Sequence, residues 1–119
     1  MSTLIKLATI IDSSSPHHNQ QKDILITEGK IEKIADSIPI KDHYTVVKLD
    51  NLHVSCGWFD TSVSFGEPGF EERETIKNGL NVAAKSGFTA VAINANTNPI
   101  IDNKSAVEFL INKANNSIS

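Results

Sequence analysis

Apolar and polar residues follow two different rhythms along this chain, and the change falls near residue 54. Before it, short apolar runs alternate with polar residues. Leu4 to Ile11 is rich in β-formers and stops at Asp12-Ser13-Ser14-Ser15-Pro16, a cluster of turn residues. Asp23-Ile24-Leu25-Ile26-Thr27 predicts a second strand and Glu28-Gly29-Lys30 a tight hairpin turn. Ile31-Glu32-Lys33-Ile34 predicts a half-exposed third strand, and Tyr44 to Leu49 repeats that alternation. Residues 1–53 therefore predict a small, mainly antiparallel, β-sandwich-like part with one wet face.

Beyond residue 53 the period lengthens. Val54 to Ser64 has little alternation, as expected of a strand buried on both faces. From Glu71 to Ser86, Ile76, Leu80, Ala83 and Ala84 recur at helical spacing, with acidic residues in the first turn and Gly87 at the C-terminal end. Phe88 to Ile93 predicts another buried strand. Asp102 or Asn103 can cap a helix through Ala106, Phe109, Leu110 and Ala114. Strand, helix, strand, helix over residues 54–119 predicts an α/β part made of two βα units with parallel strands.

Composition narrows the classes without choosing among them. The 119 residues suffice for one average domain, and 39% are hydrophobic. A net charge of −3 with scattered basic residues argues against nucleic acid as a partner. The single Cys56 has no internal disulfide partner, as suits a reducing compartment. Neither a signal peptide nor an apolar run of membrane-spanning length is evident, so the expectation is cytoplasmic, with no membrane partner.

The chemistry-bearing stretch is residues 55–69, Ser-Cys-Gly-Trp-Phe-Asp-Thr-Ser-Val-Ser-Phe-Gly-Glu-Pro-Gly. Residues two apart on a strand share a side, so Asp60, Ser62 and Ser64 face one way. Histidines at 62 and 64 would converge on one divalent ion there, but serine hydroxyls are poor zinc ligands. As nucleophiles these hydroxyls lack a nearby His to activate them. His17, His18, His43 and His53 form no i, i+2 or i, i+4 pair with one another or with Cys56 and are read as loop residues. Cys56 is read as a small buried hydrophobe. The alternation Asn94/Asn96/Asn98 suggests either an amide ladder or a loop of turn formers, and the loop is the simpler account.

The same stretch resembles the first barrel strand of dihydroorotases, in the amidohydrolase superfamily. Their motif reads Pro-Gly-hydrophobic-hydrophobic-Asp-x-His-x-His-hydrophobic-Arg-x-Pro-Gly. This chain keeps Gly57, Asp60, Phe65, Pro68 and Gly69. It departs at Cys56 for Pro, at Ser62 and Ser64 for the two His, and at Gly66 for the Arg. The resemblance extends through residues 71–76, 87–91 and 96–102. It implies the N-terminal portion of a longer protein: a small sheet, then the first two βα units of an incomplete (β/α)8 barrel. A self-contained small α/β domain is the alternative.

The resemblance also assigns roles. Asn96 matches a substrate-binding Asn, and Gly66 stands where an Arg grips the substrate carboxylate, so both are vestigial substrate positions. Asn96 can equally be a turn residue. Ser62 and Ser64 occupy the ligand positions for the family's zinc, with Asp60 nearby. No catalytic residue, metal ligand or cofactor is therefore expected in this chain. Two function classes follow. One is a non-catalytic homologue that keeps the fold for assembly, partnering the remainder of its own barrel, another copy of itself, or aspartate carbamoyltransferase. The other is the N-terminal piece of an active zinc-dependent dihydroorotase that hydrolyses the cyclic amide of dihydroorotate.

Overall fold

The computed structural model describes residues 1–117, so the last two residues of the expected 54–119 part lie outside the described residues. The chain divides into two compact units, Met1–Cys56 and Gly57–Ser119. The division falls three residues later than the sequence pattern places it. The apolar run beginning at Val54 is not one strand. His53–Ser55 joins a sheet of the first unit, Trp58–Val63 joins a sheet of the second, and Cys56-Gly57 separates them.

In the first unit, β1 (Ser2–Ile11), β2 (Gln21–Thr27) and β3 (Lys30–Ala35) form an antiparallel meander. The β2–β3 turn is the expected tight hairpin, with two residues in the turn and Lys30 already in β3. Glu28 and Gly29 both have positive φ, 50° and 74°, the conformation that matches strand twist in such turns. β4 (Tyr44–Val47) and β5 (His53–Ser55) then line the other side of β1, along Ser2–Ile5 and Thr9–Ile11, and both run parallel to it. The sheet is thus mixed: antiparallel through β1–β3, as expected, and parallel where β4 and β5 join β1. After two reversals β3 runs in the direction of β1. Residues 36–43 carry the chain back to the start of β1, so β4 enters in the same direction.

Both faces of this sheet carry apolar residues, and only one is packed over. Leu4, Leu25 and Ile38 pack on one side with Ala35 and Tyr44. Their strand neighbours Ile5 and Ile24 point to the other, which is also apolar through Ile26, Ile34 and Val54. A bulge in β1 sets Lys6 and Leu7 against Asp23 alone, with Leu7 at φ 55°. It aims the Leu7 amide at the buried Asp23 carboxylate, 2.9 Å away. The Ile38 amide and the Lys6 ammonium complete the carboxylate's partners.

The second unit runs β6 (Trp58–Val63), α1 (Ile76–Lys85), β7 (Phe88–Ile93), α2 (Lys104–Asn115). β6 and β7 pair in parallel from Trp58↔Phe88 to Val63↔Ile93. Asn103 caps α2 by accepting the Ala106 amide at 3.0 Å. Gly87, at φ 89°, supplies the left-handed residue just past α1. Helix α1 starts at Ile76, five residues later than expected, and has no acid in its first turn. Residues 66–74 are spent on a turn: the Phe70 amide bonds the Gly66 carbonyl at 2.7 Å, and the Gly66 amide bonds the Glu74 carbonyl at 2.9 Å. Thr75 then caps the helix through the Asn78 amide.

Phe65 and Ile76 are the buried apolar centre of this unit. A β-carbon on Gly79 would stand 2.3 Å from the Phe65 ring, so only glycine lets the ring lie on α1. The strands are not covered on both faces as their apolar character predicts: Trp58 is 62% and Phe59 59% exposed. Among the described residues no helix is long and apolar enough to cross a membrane.

Candidate functional site

Parallel pairing puts the C-terminal ends of β6 and β7 side by side. The Asn94 amide continues the ladder onto the Val63 carbonyl at 2.8 Å. Ser62 and Ser64 therefore meet Asn94 and Asn96. The Asn94 side-chain nitrogen donates to Ser62 Oγ at 3.1 Å and to Ser64 Oγ at 3.2 Å. Asn96 donates to Ser64 Oγ at 3.0 Å. Ser62 Oγ lies 3.4 Å from Asn94 Oδ1. Asp60 Oδ1 accepts the Ser62 amide at 3.0 Å. Two serines from one strand end and two asparagines from the next thus form one uncharged hydrogen-bonded cluster. Asn94 is its hub; Asn94 and Asn96 lie in the loop after β7, as expected, and their side chains bond the serines rather than one another.

The loops beside this cluster are held by a carboxylate that sequence reasoning passes over. Glu67 is buried. Its Oε2 accepts the Ile76 amide at 3.1 Å, and its Oε1 pairs with Lys113 Nζ at 2.5 Å. It ties the turn after β6 to the start of α1 and the last turn of α2. The Asn98 amide bonds the Pro68 carbonyl at 3.0 Å, and the Thr97 hydroxyl bonds the Pro99 carbonyl at 2.9 Å, which pins the second loop to the first. The Gly69 amide donates to the Glu71 carboxylate at 3.0 Å and holds that carboxyl below its ordinary value.

Gly66 is closed to any side chain. A β-carbon there would lie 2.0 Å from the Phe70 carbonyl oxygen. The position lacks the charge of an arginine and, in this turn, also the room for one.

His18, His43 and His53 have local partners, and His53, expected in a loop, is the first residue of β5. His18 Nδ1 accepts the Asp12 amide at 3.1 Å, and His53 Nδ1 lies 2.8 Å from the Asn51 carbonyl. His43 meets the Tyr44 ring edge-on. Cys56, read from sequence as buried, is exposed, because the chain leaves the first sheet there. Its thiol donates to Asp12 Oδ2 at 3.6 Å.

The donor set at the strand ends does not suit zinc. That ion takes imidazole nitrogen, thiolate or carboxylate. Ser62, Ser64, Asn94 and Asn96 offer neutral hydroxyl and amide groups already bonded to one another, and Asp60 is engaged with backbone. Among the described residues no three His, Cys, Asp or Glu side chains gather in a metal-binding group.

Comparison with known proteins places this geometry. Residues 52–118 match the family described as dihydro-orotase-like. A dihydroorotase of Bacillus licheniformis is 39% identical over 119 residues, covering 100% of this chain and 27% of that protein. One from Bacillus subtilis is 38% identical over 113 residues, with 95% and 26% covered. The chain thus spans about a quarter of the length of these relatives. Among solved structures, the L-hydantoinase (dihydropyrimidinase) of Arthrobacter aurescens superposes with a TM-score of 0.78 at 18% identity, over 94% of this chain and 24% of that one. A D-hydantoinase gives 0.70 at 24% identity, over 98% and 25%. These likenesses show the fold.

Proposed function

This chain belongs to the dihydroorotase-like family, and from that premise we propose that it is a homologue of the pyrimidine-biosynthetic dihydroorotases whose own strand ends carry no metal chemistry. On this reading the second unit is the first two βα units of a (β/α)8 barrel, where sites form at the C-terminal strand ends. The supporting observation is the cluster at those ends: Ser64 Oγ accepts both the Asn94 and the Asn96 side-chain N–H groups. The family's ligand positions are filled by hydroxyls bonded to neutral amides, and the substrate-gripping position is a glycine with no room for a side chain.

A protein of this kind keeps its fold for assembly. We take its partners to be the remainder of a dihydroorotase-like barrel and, through it, aspartate carbamoyltransferase, in the cytoplasm. Asn96 and Asp60 are retained, which supports a second reading: a segment of a working zinc-dependent dihydroorotase that draws its ligands from residues beyond those described.

The deciding experiment combines elemental analysis of protein purified without chelator with an assay of dihydroorotate hydrolysis, the Bacillus subtilis enzyme serving as positive control. The first reading expects no stoichiometric zinc and no turnover. Stoichiometric zinc that survives Ser62→Ala and Ser64→Ala, together with turnover, would establish the second.

A further inference from the structure

Helix α1 carries the only Asn-Gly pair in the sequence, Asn78-Gly79. Such a pair is chemically labile, because the glycine has no side chain to shield its amide nitrogen from the asparagine carboxamide. Packing keeps the pair in place. Gly79 is buried, and a β-carbon on it would stand 2.3 Å from the Phe65 ring. No larger residue can follow Asn78 while that ring lies on the helix. Asn78 itself is exposed to water.

The folded helix withholds each atom that the reaction needs. The Gly79 amide donates to the Thr75 carbonyl at 2.9 Å, the first backbone bond of α1. The Asn78 amide donates to the Thr75 hydroxyl at 3.2 Å, which holds the backbone there in helical form. The Asn78 side-chain nitrogen donates to Glu74 Oε1 at 2.9 Å and so draws the carboxamide toward the preceding turn. Opening the first turn at Thr75 releases the attacking nitrogen and the backbone together. Helix ends are where such local opening costs least.

We propose that Asn78 is a site of spontaneous deamidation gated by the Thr75 cap. Once the turn opens, the Gly79 nitrogen gives its proton to water and bonds Asn78 Cγ. The Cγ–Nδ2 bond breaks and ammonia leaves with a proton. Water then opens the cyclic imide at either carbonyl, leaving an aspartate or an isoaspartate. The aspartate gains from the helix dipole but loses the bond to Glu74 and faces that carboxylate. The isoaspartate adds a carbon to the main chain and cannot keep helical register. The site owes nothing to the strand-end cluster or to metal chemistry.

The test incubates the unmodified 119-residue chain at mildly alkaline pH in water enriched in heavy oxygen and maps its peptides by mass. The expected result is modification at Asn78 as both aspartate and isoaspartate, each with one heavy oxygen. Asn81, also exposed on α1 but followed by the β-branched Val82, should react far more slowly. Thr75→Ala should speed the reaction at Asn78 roughly 2- to 30-fold, the range that loss of a cap implies. Thr75→Ser keeps the hydroxyl and should match the parent. Urea too dilute to change the circular dichroism should also speed the parent, a measurement that stands even if Thr75→Ala does not fold. Asn81 reacting as fast as Asn78 would overturn the site. A rate at Asn78 indifferent to dilute urea, or equal in a folded Thr75→Ala and the parent, would overturn the gate.

Discussion

A β-carbon on Gly66 would meet the Phe70 carbonyl oxygen at 2.0 Å, well inside any tolerated contact. The same two residues are joined by the Phe70 amide and the Gly66 carbonyl at 2.7 Å, so the turn closes on itself at this point. Glycine is required here by space, whereas at Gly87 it is required only by its positive φ, with nothing within 4 Å of a β-carbon.

The two glycines should therefore respond differently. Gly87→Ala should cost about 1 kcal/mol, the price of a left-handed non-glycine residue. Gly66→Ala should cost about 1–3 kcal/mol, because backbone must move, and Gly66→Arg at least as much. Urea unfolding of the three variants checks this. A Gly66→Arg variant as stable as the parent would mean that the turn opens freely and that the arginine position is available after all.

Asn94 should matter more than Asn96 to the strand ends. It bonds both serines, whereas Asn96 bonds only Ser64. Net hydrogen-bond contributions of about 1 kcal/mol apply to such partly exposed groups at most. Asn94→Ala is expected to lower stability by about 1 kcal/mol and Asn96→Ala by less than half of that. Hydrogen exchange at the Asn94 and Val63 amides should rise with the first substitution only.

Much of this was legible because it rests on local chemistry. The Glu28-Gly29 turn, the Asn103 cap and the Gly87 terminus each need a particular residue at a particular place. The period of two correctly puts Ser62 and Ser64 on one side, which is why both reach Asn94, but a register shift between Asp60 and Val63 sets Asp60 on the α1 side with Val63 and Phe65 rather than with the serines. What escaped depends on pairing partners. Hydrophobic alternation carries no strand direction, so the parallel placement of β4 and β5 is invisible in it. The break at Cys56-Gly57 lies inside Val54-Ser55-Cys56-Gly57-Trp58-Phe59, where a single glycine does not separate two sheets from one. Glu71, Glu72 and Glu74 suit a helix start, but the Gly66–Phe70 turn claims them first. The Asn94/Asn96 alternation was itself the signal for the cluster. Only the parallel register, Val63 beside Ile93, tells that it faces serines.

Acid should unfold the first unit through Asp23. Burial alone would raise its carboxyl, but the Lys6 ammonium and the Leu7 and Ile38 amides outweigh that and hold it below the ordinary value of 3.8. The folded value thus lies under the unfolded one. Its contribution to stability is complete above about pH 4, near the unfolded value, and is lost as pH falls through the folded value. Asp23→Asn should flatten this dependence and destabilise by about 3 kcal/mol, since Lys6 is left without its partner. Circular dichroism of parent and variant between pH 2 and 7, values spanning roughly the carboxyl range, checks both. A parent whose stability is unchanged across that range would exclude Asp23 as the acid-labile tie.

Activity is the last test, and the chemistry of the strand ends sets its outcome. Opening or closing a cyclic amide by the family's route needs a metal-held water and a grip on the substrate carboxylate, and these act together. On the proposed reading the two ligand positions are Ser62 and Ser64, tied to Asn94 and Asn96, and the grip position is Gly66, with no space for a side chain. Losing either function alone typically removes orders of magnitude in rate. The 119-residue chain is therefore expected to give no turnover of dihydroorotate above a metal-only control. Ser62→His with Ser64→His should gain zinc affinity by isothermal titration, because the two hydroxyls already converge on the Asn94 side chain. The triple variant that adds Gly66→Arg should still be inactive and should be less stable than the double, since the arginine breaks the Gly66–Phe70 turn. Saturable, zinc-dependent turnover by the unmodified chain would refute the non-catalytic reading. Zinc binding by the double variant no tighter than by the parent would show that the two serines do not converge.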